Sequence, residues 1–243
     1  MTIGQMIEDA TAVTNYLRRR FGKEKIYVLG HSWGSVLGVL TVQKSPELFH
    51  GYIGIGQVVC QSKSECLAYS FMVNEFTAAG DRKMLRRLEK FPIDRGGEVS
   101  FQYLAVRSVG MMKLGIGIMH HLDSMSDCIK IVLRYKGYTL KDKLHFVMGS
   151  GLALKCLWDF VMQTDFVKQV PHLEIPVYIF QGRFDYQVSY SLAKEFADTV
   201  KAPVKGFYTF ENSAHSPCFE EPKKMCHIIR EDVLQGKCGL ADG

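Results

Sequence analysis

A serine between two glycines marks the stretch of this 243-residue chain that is best suited to chemistry. The sequence at residues 30–34 is Gly-His-Ser-Trp-Gly, and it directly follows an apolar run at 26–29. A G-x-S-x-G sequence between a buried strand and a helix forms a nucleophile elbow, a tight turn that holds the serine in a strained backbone conformation. We expect a side chain at Gly30 or Gly34 to collide with a neighbouring element. The pattern predicts Ser32 as a nucleophile, with a glycine-flanked surface loop as the alternative.

A serine hydroxyl needs a base to become a good nucleophile, and the base needs an acid that holds its tautomer. In proteins with a nucleophile elbow these partners follow in the order serine, acid, histidine, each after a later strand. Asp185 follows the predicted strand 175–180, and His215 follows the predicted strand 206–210. Taken singly, such an aspartate is also typical of a helix cap, and His215 is one of 8 histidines. The joint order predicts a triad of Ser32, Asp185 and His215.

These segments together resemble the α/β-hydrolases, and most closely the branch of proline iminopeptidases and related serine hydrolases. The resemblance rests on four short segments, residues 30–35, 51–57, 182–185 and 213–217. It implies acyl transfer from a small amide, peptide or ester to Ser32, with the backbone N–H of Trp33 in the oxyanion hole and no cofactor or metal. His31 departs from the glycine usual in proline iminopeptidases, so aminopeptidase, esterase, amidase and lactonase activity all stay open.

Strands and helices must alternate to position these residues, and they do so at both ends of the chain. We predict strands at 26–29, 51–57, 175–180 and 206–210, and helices at 2–21, 35–42, 189–200 and 221–234. This alternation predicts an α/β fold, namely the C-terminal part of an α/β-hydrolase doubly wound parallel sheet of about four strands. The glycines of 51–57 do not form a dinucleotide-binding G-x-G-x-x-G. We expect Gly54 and Gly56 to allow close packing at the active-site end of the sheet.

Helical patterns dominate the middle of the chain, at 64–79, 81–90, 97–109, 140–148 and 152–164. The resemblance implies that an insertion at this point is a cap, which covers the nucleophile and selects substrates. We therefore divide the chain into an α/β-hydrolase core, residues 1–60 and 172–243, and a helical cap, residues 61–171. Residues 109–119 are rich in methionine and glycine, which suits an adaptable pocket wall or ordinary cap core. The resemblance also makes Glu75 a candidate for holding a substrate amine, with a solvated helix glutamate as the alternative.

The start of the sequence raises a second function class. Members of the α/β-hydrolase superfamily have further strands before the elbow strand, whereas this sequence begins within the helix that precedes it. We therefore expect an N-terminal truncation, an exposed apolar edge on the strand at 26–30 and the loss of one oxyanion N–H, which costs about 10²- to 10³-fold in turnover. The alternative function is a catalytically impaired fragment that associates through this edge with a second copy or with a separate N-terminal half.

Composition argues against several other classes of protein. The net charge is +5, but the basic residues are dispersed rather than gathered into a patch with aromatics, which disfavours nucleic-acid binding. No run reaches the roughly 18 apolar residues of a membrane span, and the N-terminus lacks the pattern of a signal peptide, which favours a cytoplasmic location. The 7 cysteines include no C-x-x-C pair, which argues against a disulfide framework and a zinc site. Serine at the elbow disfavours an aspartate-nucleophile hydrolase.

Overall fold

Parallel strands form the centre of the fold. The computed structural model describes residues 1–93, 99–121, 130 and 133–242. Its four-stranded sheet has the order β1 (Ile26–His31), β2 (Phe49–Ile55), β3 (Val177–Gly182), β4 (Lys205–Phe210), with every neighbouring pair parallel. The predicted parallel sheet is confirmed, with each strand displaced by no more than two or three residues from its predicted position.

Helices flank the strands of the core. They are α1 (Ile3–Phe21), α2 (Trp33–Lys44), α8 (Tyr190–Thr199), α9 (Pro217–Glu220) and α10 (Pro222–Glu231). Of these, α2 connects β1 to β2 and α8 connects β3 to β4, because a parallel pair needs a crossover rather than a hairpin. The side chain of Thr2 caps the first turn of α1, and Gly22 ends the helix in the left-handed conformation that glycine adopts without strain.

The two faces of the sheet carry separate apolar clusters. On β2, Tyr52 packs with residues of α2 and α8, whereas its neighbour Ile53 packs on the other face with Tyr178 and with Ile228 of α10. This alternation follows from the two-residue period of a strand. Because helices cover both faces, the central strands β2 and β3 are almost wholly buried.

Five helices lie between β2 and β3, in the segment predicted as a cap. They are α3 (Gln61–Ala78), α4 (Arg82–Leu88), α5 (Phe101–Lys113), α6 (Leu140–Gln163) and α7 (Phe166–Gln169), as far as the described residues go. A separate apolar cluster, centred on Ala68, Met72, Phe76, Met84 and Tyr103, joins α3, α4, α5 and part of α6, whereas α7 packs with the cluster of the sheet. The division into core and cap at residues 61 and 171 stays a prediction.

One long helix replaces the two that the sequence predicts over 140–148 and 152–164. The helix α6 runs unbroken from Leu140 to Gln163, and a capping box of Thr139 and Asp142 starts it. The Ser150 hydroxyl donates to the carbonyl of Phe146 one turn back, and the glycines on either side of Ser150 lie within the continuous helix. Among the described helices α6 is the one whose length and composition would allow it to cross a membrane, which for a single helix is weak evidence.

Candidate active site

Ser32 sits at the turn between β1 and α2 in a conformation that side chains rarely adopt, with φ 56° and ψ −123°. Its backbone N–H donates to the carbonyl of Ile55 (2.9 Å), so the turn is fastened to the end of β2. A Cβ at Gly30 would overlap the backbone of Gly34 and Ser35, which explains the first glycine of the motif. The expectation for Gly34 is wrong, because an added Cβ there meets nothing within 4 Å in the described structure.

His215 and Asp185 meet in the loops that follow β4 and β3. The Nδ1–H of His215 donates to Oδ2 of Asp185 (2.9 Å), and both side chains are buried, with 4% and 0% of their surface exposed. Because a carboxylate only accepts, the shared proton belongs to Nδ1, and the neutral ring then carries its lone pair on Nε2. That Nε2 is buried without a hydrogen-bond partner among the described residues. The histidine is therefore in the tautomer that can take a proton.

The carboxylate of Asp185 is held from both sides. Its Oδ1 accepts from the backbone N–H groups of Gln187 (2.8 Å) and Val188 (3.2 Å), and its Oδ2 accepts from Nε2 of Gln181 (2.7 Å) in addition to His215. Hydrogen bonds from four donors fix the orientation of this carboxylate.

A buried chain of hydrogen bonds joins the acid to the elbow through the sheet. Gln181 accepts from the backbone N–H of Gln57 (3.0 Å), whose side-chain oxygen accepts from the hydroxyl of Tyr52 (2.6 Å). That hydroxyl also lies 3.1 Å from the carbonyl of Ser35, and the Ser35 hydroxyl donates to the carbonyl of Ser32 (2.6 Å). Burial and the loss of hydration raise the pKa of Tyr52 well above its ordinary range, so its hydroxyl stays a donor.

His31 contacts the loop that carries His215. Its Nε2 lies 2.9 Å from the carbonyl oxygen of His215, and the two rings are tilted against each other with centroids 5.1 Å apart. Burial lowers the pKa of His31, and the nearby ring of His215 lowers it further. The neutral ring with its proton on Nε2 donates to that carbonyl.

Close backbone approach explains two further glycines. Gly56 has φ +52°, and a Cβ there would lie 2.8 Å from the ring of His215. A Cβ at Gly54 would overlap the side chain of Gln57. The predicted role of Gly54 and Gly56 in close packing at this end of the sheet is confirmed.

A cavity of about 500 Å³ lies beside Ser32, between the elbow and helices α3, α5 and α6. Ser32 and Trp33 line it from the core, and Trp33 opens α2, where backbone N–H groups lack a partner within the helix. Its apolar wall is formed by Val58, Leu104, Leu154, Leu157, Trp158 and Val161. Its polar wall includes Gln61, Glu65, Arg107 and Gln187.

A family model described as "Serine aminopeptidase, S33" matches residues 2–222. The chain belongs to this family. It is 31% identical over 229 residues to Probable aminopeptidase YbaC of Bacillus subtilis (strain 168), an alignment that covers 94% of this chain and 71% of that protein. It is 22% identical to the proline iminopeptidase of Saccharolobus solfataricus, covering 88% of this chain but only 64% of that protein, less than two thirds of its length.

Solved structures show the fold of this serine aminopeptidase family member. Proline iminopeptidase of Mycobacterium smegmatis superposes with a TM-score of 0.59 at 14% identity, over 96% of this chain and 72% of that chain. An alpha/beta fold family hydrolase from Bacillus anthracis str. Sterne superposes with a TM-score of 0.55 at 19% identity, over 95% and 73%. The chain therefore has the α/β-hydrolase fold and belongs to a family of hydrolases.

Glu75 does not reach the cavity of this hydrolase. It is exposed on α3 and is not among the residues that line the cavity. The carboxylate that does line it is Glu65, on the same helix and wholly buried, whose Oε2 lies 2.7 Å from Nε of Arg107 on α5. Sequence reasoning missed this pair. The available signal was a single arginine within the apolar run 104–109, because a charge on a buried helix face requires a partner.

Proposed function

We propose that this chain is a serine hydrolase in which Ser32 is the nucleophile, His215 the general base and Asp185 the residue that orients the base. The observation that carries the proposal is the buried His215, bound to Asp185 through Nδ1 and unpartnered at Nε2, next to a serine in the strained elbow conformation. Among the described residues no hydrogen bond joins Ser32 to His215, and hydrogen bonds between a nucleophile and its base often tighten only once substrate is bound.

The reaction follows from these groups. The Oγ of Ser32 attacks the carbonyl carbon of the substrate while Nε2 of His215 takes the hydroxyl proton. The tetrahedral intermediate collapses when the leaving amine or alcohol receives that proton, and an acyl group stays on Ser32. Water then attacks the acyl group, with Nε2 again taking a proton, and the returned proton restores Ser32 as the acid leaves. In this proposal the N–H of Trp33, at the start of α2, donates to the oxyanion in both halves of the reaction.

The substrate class we propose is a small amide, peptide or ester, with aminopeptidase-like activity as the first expectation. Family membership and the naming of the Bacillus subtilis relative as a probable aminopeptidase support it. The cavity of about 500 Å³ is within the range of small-molecule sites, and most of its lining is apolar. An apolar lining suits the side chain of a substrate residue next to the scissile bond.

A fluorophosphonate probe, which reacts covalently with activated serines, tests the nucleophile directly. We expect the wild-type protein to be labelled and the Ser32→Ala variant to remain unlabelled, whereas Ser70→Ala, at an exposed serine of α3 outside the cavity, should be labelled like wild type. A wild-type protein that stays unlabelled, or a Ser32→Ala variant that labels as well as wild type, would contradict the assignment. Amino-acid p-nitroanilides and p-nitrophenyl esters with the same acyl group then separate amidase from esterase activity.

A further inference from the structure

The loop that carries Asp185 is fastened to the cap helices as well as to the sheet. The Ser64 hydroxyl of α3 donates to the carbonyl of Val188 (2.8 Å), and Nε2 of Gln61, one turn earlier, lies 3.2 Å from the carbonyl of Gln187. Both cap side chains are buried, with 1% and 5% of their surface exposed. The catalytic acid is therefore not held by the core alone.

Arg107 of α5 makes the most specific of these contacts. Its Nη2 donates to the backbone carbonyl of Gln187 (3.0 Å) and its Nη1 to the side-chain oxygen of the same residue (3.1 Å). Its Nε faces Glu65, which also accepts from Gln61 (2.8 Å). A planar guanidinium presents these donors in a fixed fork, which an ammonium group on a flexible stem does not.

The contact reaches Asp185 through a single peptide unit. The carbonyl of Gln187 and the N–H of Val188 belong to the same planar trans peptide, so they point in opposite directions. Arg107 holds the carbonyl end, and the N–H end donates to Oδ1 of Asp185 (3.2 Å). A rotation of this peptide would therefore move the donor away from the carboxylate.

Burying an ion pair costs free energy, because both charges lose their hydration. Arg107 and Glu65 are 4% and 0% exposed, and pairs of this kind are often no more stabilising than apolar residues of the same size. The guanidinium is oriented by Gln187, to which Nη1 and Nη2 both donate, while the Glu65 carboxylate lies 2.7 Å from Nε as an ion pair without hydrogen-bond geometry.

We propose that Arg107 is a positioning residue for catalysis, which orients the Gln187–Val188 peptide and through it the Asp185 carboxylate that holds His215. The proposal rests on the serine hydrolase function above. The cap then helps to orient the catalytic acid in addition to covering the cavity.

The test compares Arg107→Lys with wild type by the rate of fluorophosphonate labelling between about pH 5 and pH 9. The lysine keeps the charge beside Glu65 but loses the fork to Gln187. We expect the maximal rate to fall at least about tenfold, because small misplacements of a catalytic group are costly. We also expect the pH of half-maximal rate to move down by about half a unit, because a displaced carboxylate stabilises the imidazolium less.

Arg183→Lys is the matched control. Arg183 lies two residues before Asp185 and also forms a forked pair, with Glu211, but this pair is at the surface and does not contact Gln187. We expect its labelling rate and pH profile to equal those of wild type. Should Arg107→Lys fail to fold, Gln187→Met removes the side-chain oxygen that Nη1 contacts at a half-buried position and is expected to shift both quantities in the same direction.

The outcomes separate the two proposals. A labelled wild type with an Arg107→Lys variant of unchanged rate and pH profile overturns the role of Arg107 and leaves the hydrolase intact. A lower rate with an unchanged half-maximal pH and a lower melting temperature assigns Arg107 a purely structural role, which also overturns the proposal. A wild type without any labelling defeats the hydrolase itself, and the role of Arg107 with it.

Discussion

At the scale of single residues, a positive φ at a residue with a side chain occurs at two described positions, the proposed nucleophile Ser32 and Ser189, which follows the Asp185 loop. Ser32 has a positive φ, a conformation that costs a side-chain-bearing residue about 1–3 kcal/mol and persists only where the surroundings enforce it. The bond from its N–H to Ile55 and the bond from Ser35 to its carbonyl supply that enforcement. The turn thus keeps Ser32 in the wall of the cavity.

A substitution at Gly56 tests whether the position of the His215 ring depends on the absence of a side chain at residue 56. We expect Gly56→Ala to lower fluorophosphonate labelling at least about 100-fold, because the new methyl group would press on the histidine ring, 2.8 Å away. Gly22→Ala is the control, since Gly22 has a similar φ of +59° but open space around it. Both variants should lose about 1–2 kcal/mol of stability in urea unfolding through backbone strain. Equal labelling of the two would show that Gly56 does not limit the position of His215.

His31 predicts a pH dependence of stability. Its pKa is lower in the folded chain than the ordinary 6.5, so the unfolded chain binds the proton more readily. Stability is therefore fully present above about pH 6.5 and falls as the pH drops through that value toward the folded-state pKa. The test is His31→Gln, whose amide can still donate to the carbonyl of His215. Between about pH 7.5 and about pH 5.5, we expect the melting temperature of this variant to fall less than that of wild type.

The control for that experiment is His50→Gln, at an exposed histidine outside the site. It should keep the wild-type slope of melting temperature against pH. If His31→Gln and His50→Gln gave the same slope, the burial of His31 would not be the source of the pH dependence.

At the scale of elements, the two buried faces of the sheet each carry a tyrosine hydroxyl. One hydroxyl belongs to the hydrogen-bond chain of the site, and the other does not. Tyr52 on β2 and Tyr178 on β3 are both fully buried, but only the hydroxyl of Tyr52 has partners among the described residues. Burial raises the pKa of Tyr178 to about 12. The two tyrosines therefore form a matched pair on opposite faces.

We expect Tyr52→Phe to destabilise the protein by about 1–3 kcal/mol, because it leaves the side-chain oxygen of Gln57 buried without its donor. Tyr178→Phe should be neutral or slightly stabilising, since it removes a hydroxyl that has lost its hydration without gaining a partner. Urea unfolding of both variants measures the difference. A Tyr178→Phe variant as unstable as Tyr52→Phe would mean that ring packing, rather than the hydroxyl, decides the effect.

Most of these elements were predictable from the sequence, and the exceptions have physical reasons. Strands β1 to β4 are short apolar runs bounded by glycine or polar turns, which is a local signal. The break predicted near Gly149 is absent because a glycine lowers helix propensity without preventing a helix. The order of Ser32, Asp185 and His215 was readable because each follows its own strand.

The pair of Glu65 and Arg107 was not readable in the same way. Its two members lie on different helices, and only the packing of α3 against α5 brings them together. The same holds for the contact of His31 with the carbonyl of His215, which joins two distant loops. Local pattern therefore predicts which residues are candidates for catalysis, whereas tertiary packing decides which residues hold those candidates in place.

At the scale of the whole molecule, protection from solvent is very uneven. Strands β2 and β3 are paired on both sides and covered on both faces, whereas the first half of α6 is exposed, with 84% of Leu140 and 65% of Met148 accessible. Such differences in burial correspond to different free energies of local opening.

Hydrogen exchange measured by mass spectrometry should reproduce this contrast. We expect peptides from β2 and β3 to exchange at least about 100-fold more slowly than peptides covering residues 140–150. Peptides from α2, which packs against the sheet, serve as an internal reference for a covered helix and should resemble the strands. Equal protection of residues 140–150 and of α2 would mean that something in solution covers α6.

The fastening of the Asp185 loop to α3 and α5 also has a consequence for protein engineering. A chimera that exchanges the cap for one of another specificity removes Ser64, Gln61 and Arg107 along with the cavity wall. Such a transplant would leave the carbonyls of Gln187 and Val188 without their donors, even though every residue of the triad is retained. A successful exchange must therefore graft donors for these two carbonyls together with the new specificity.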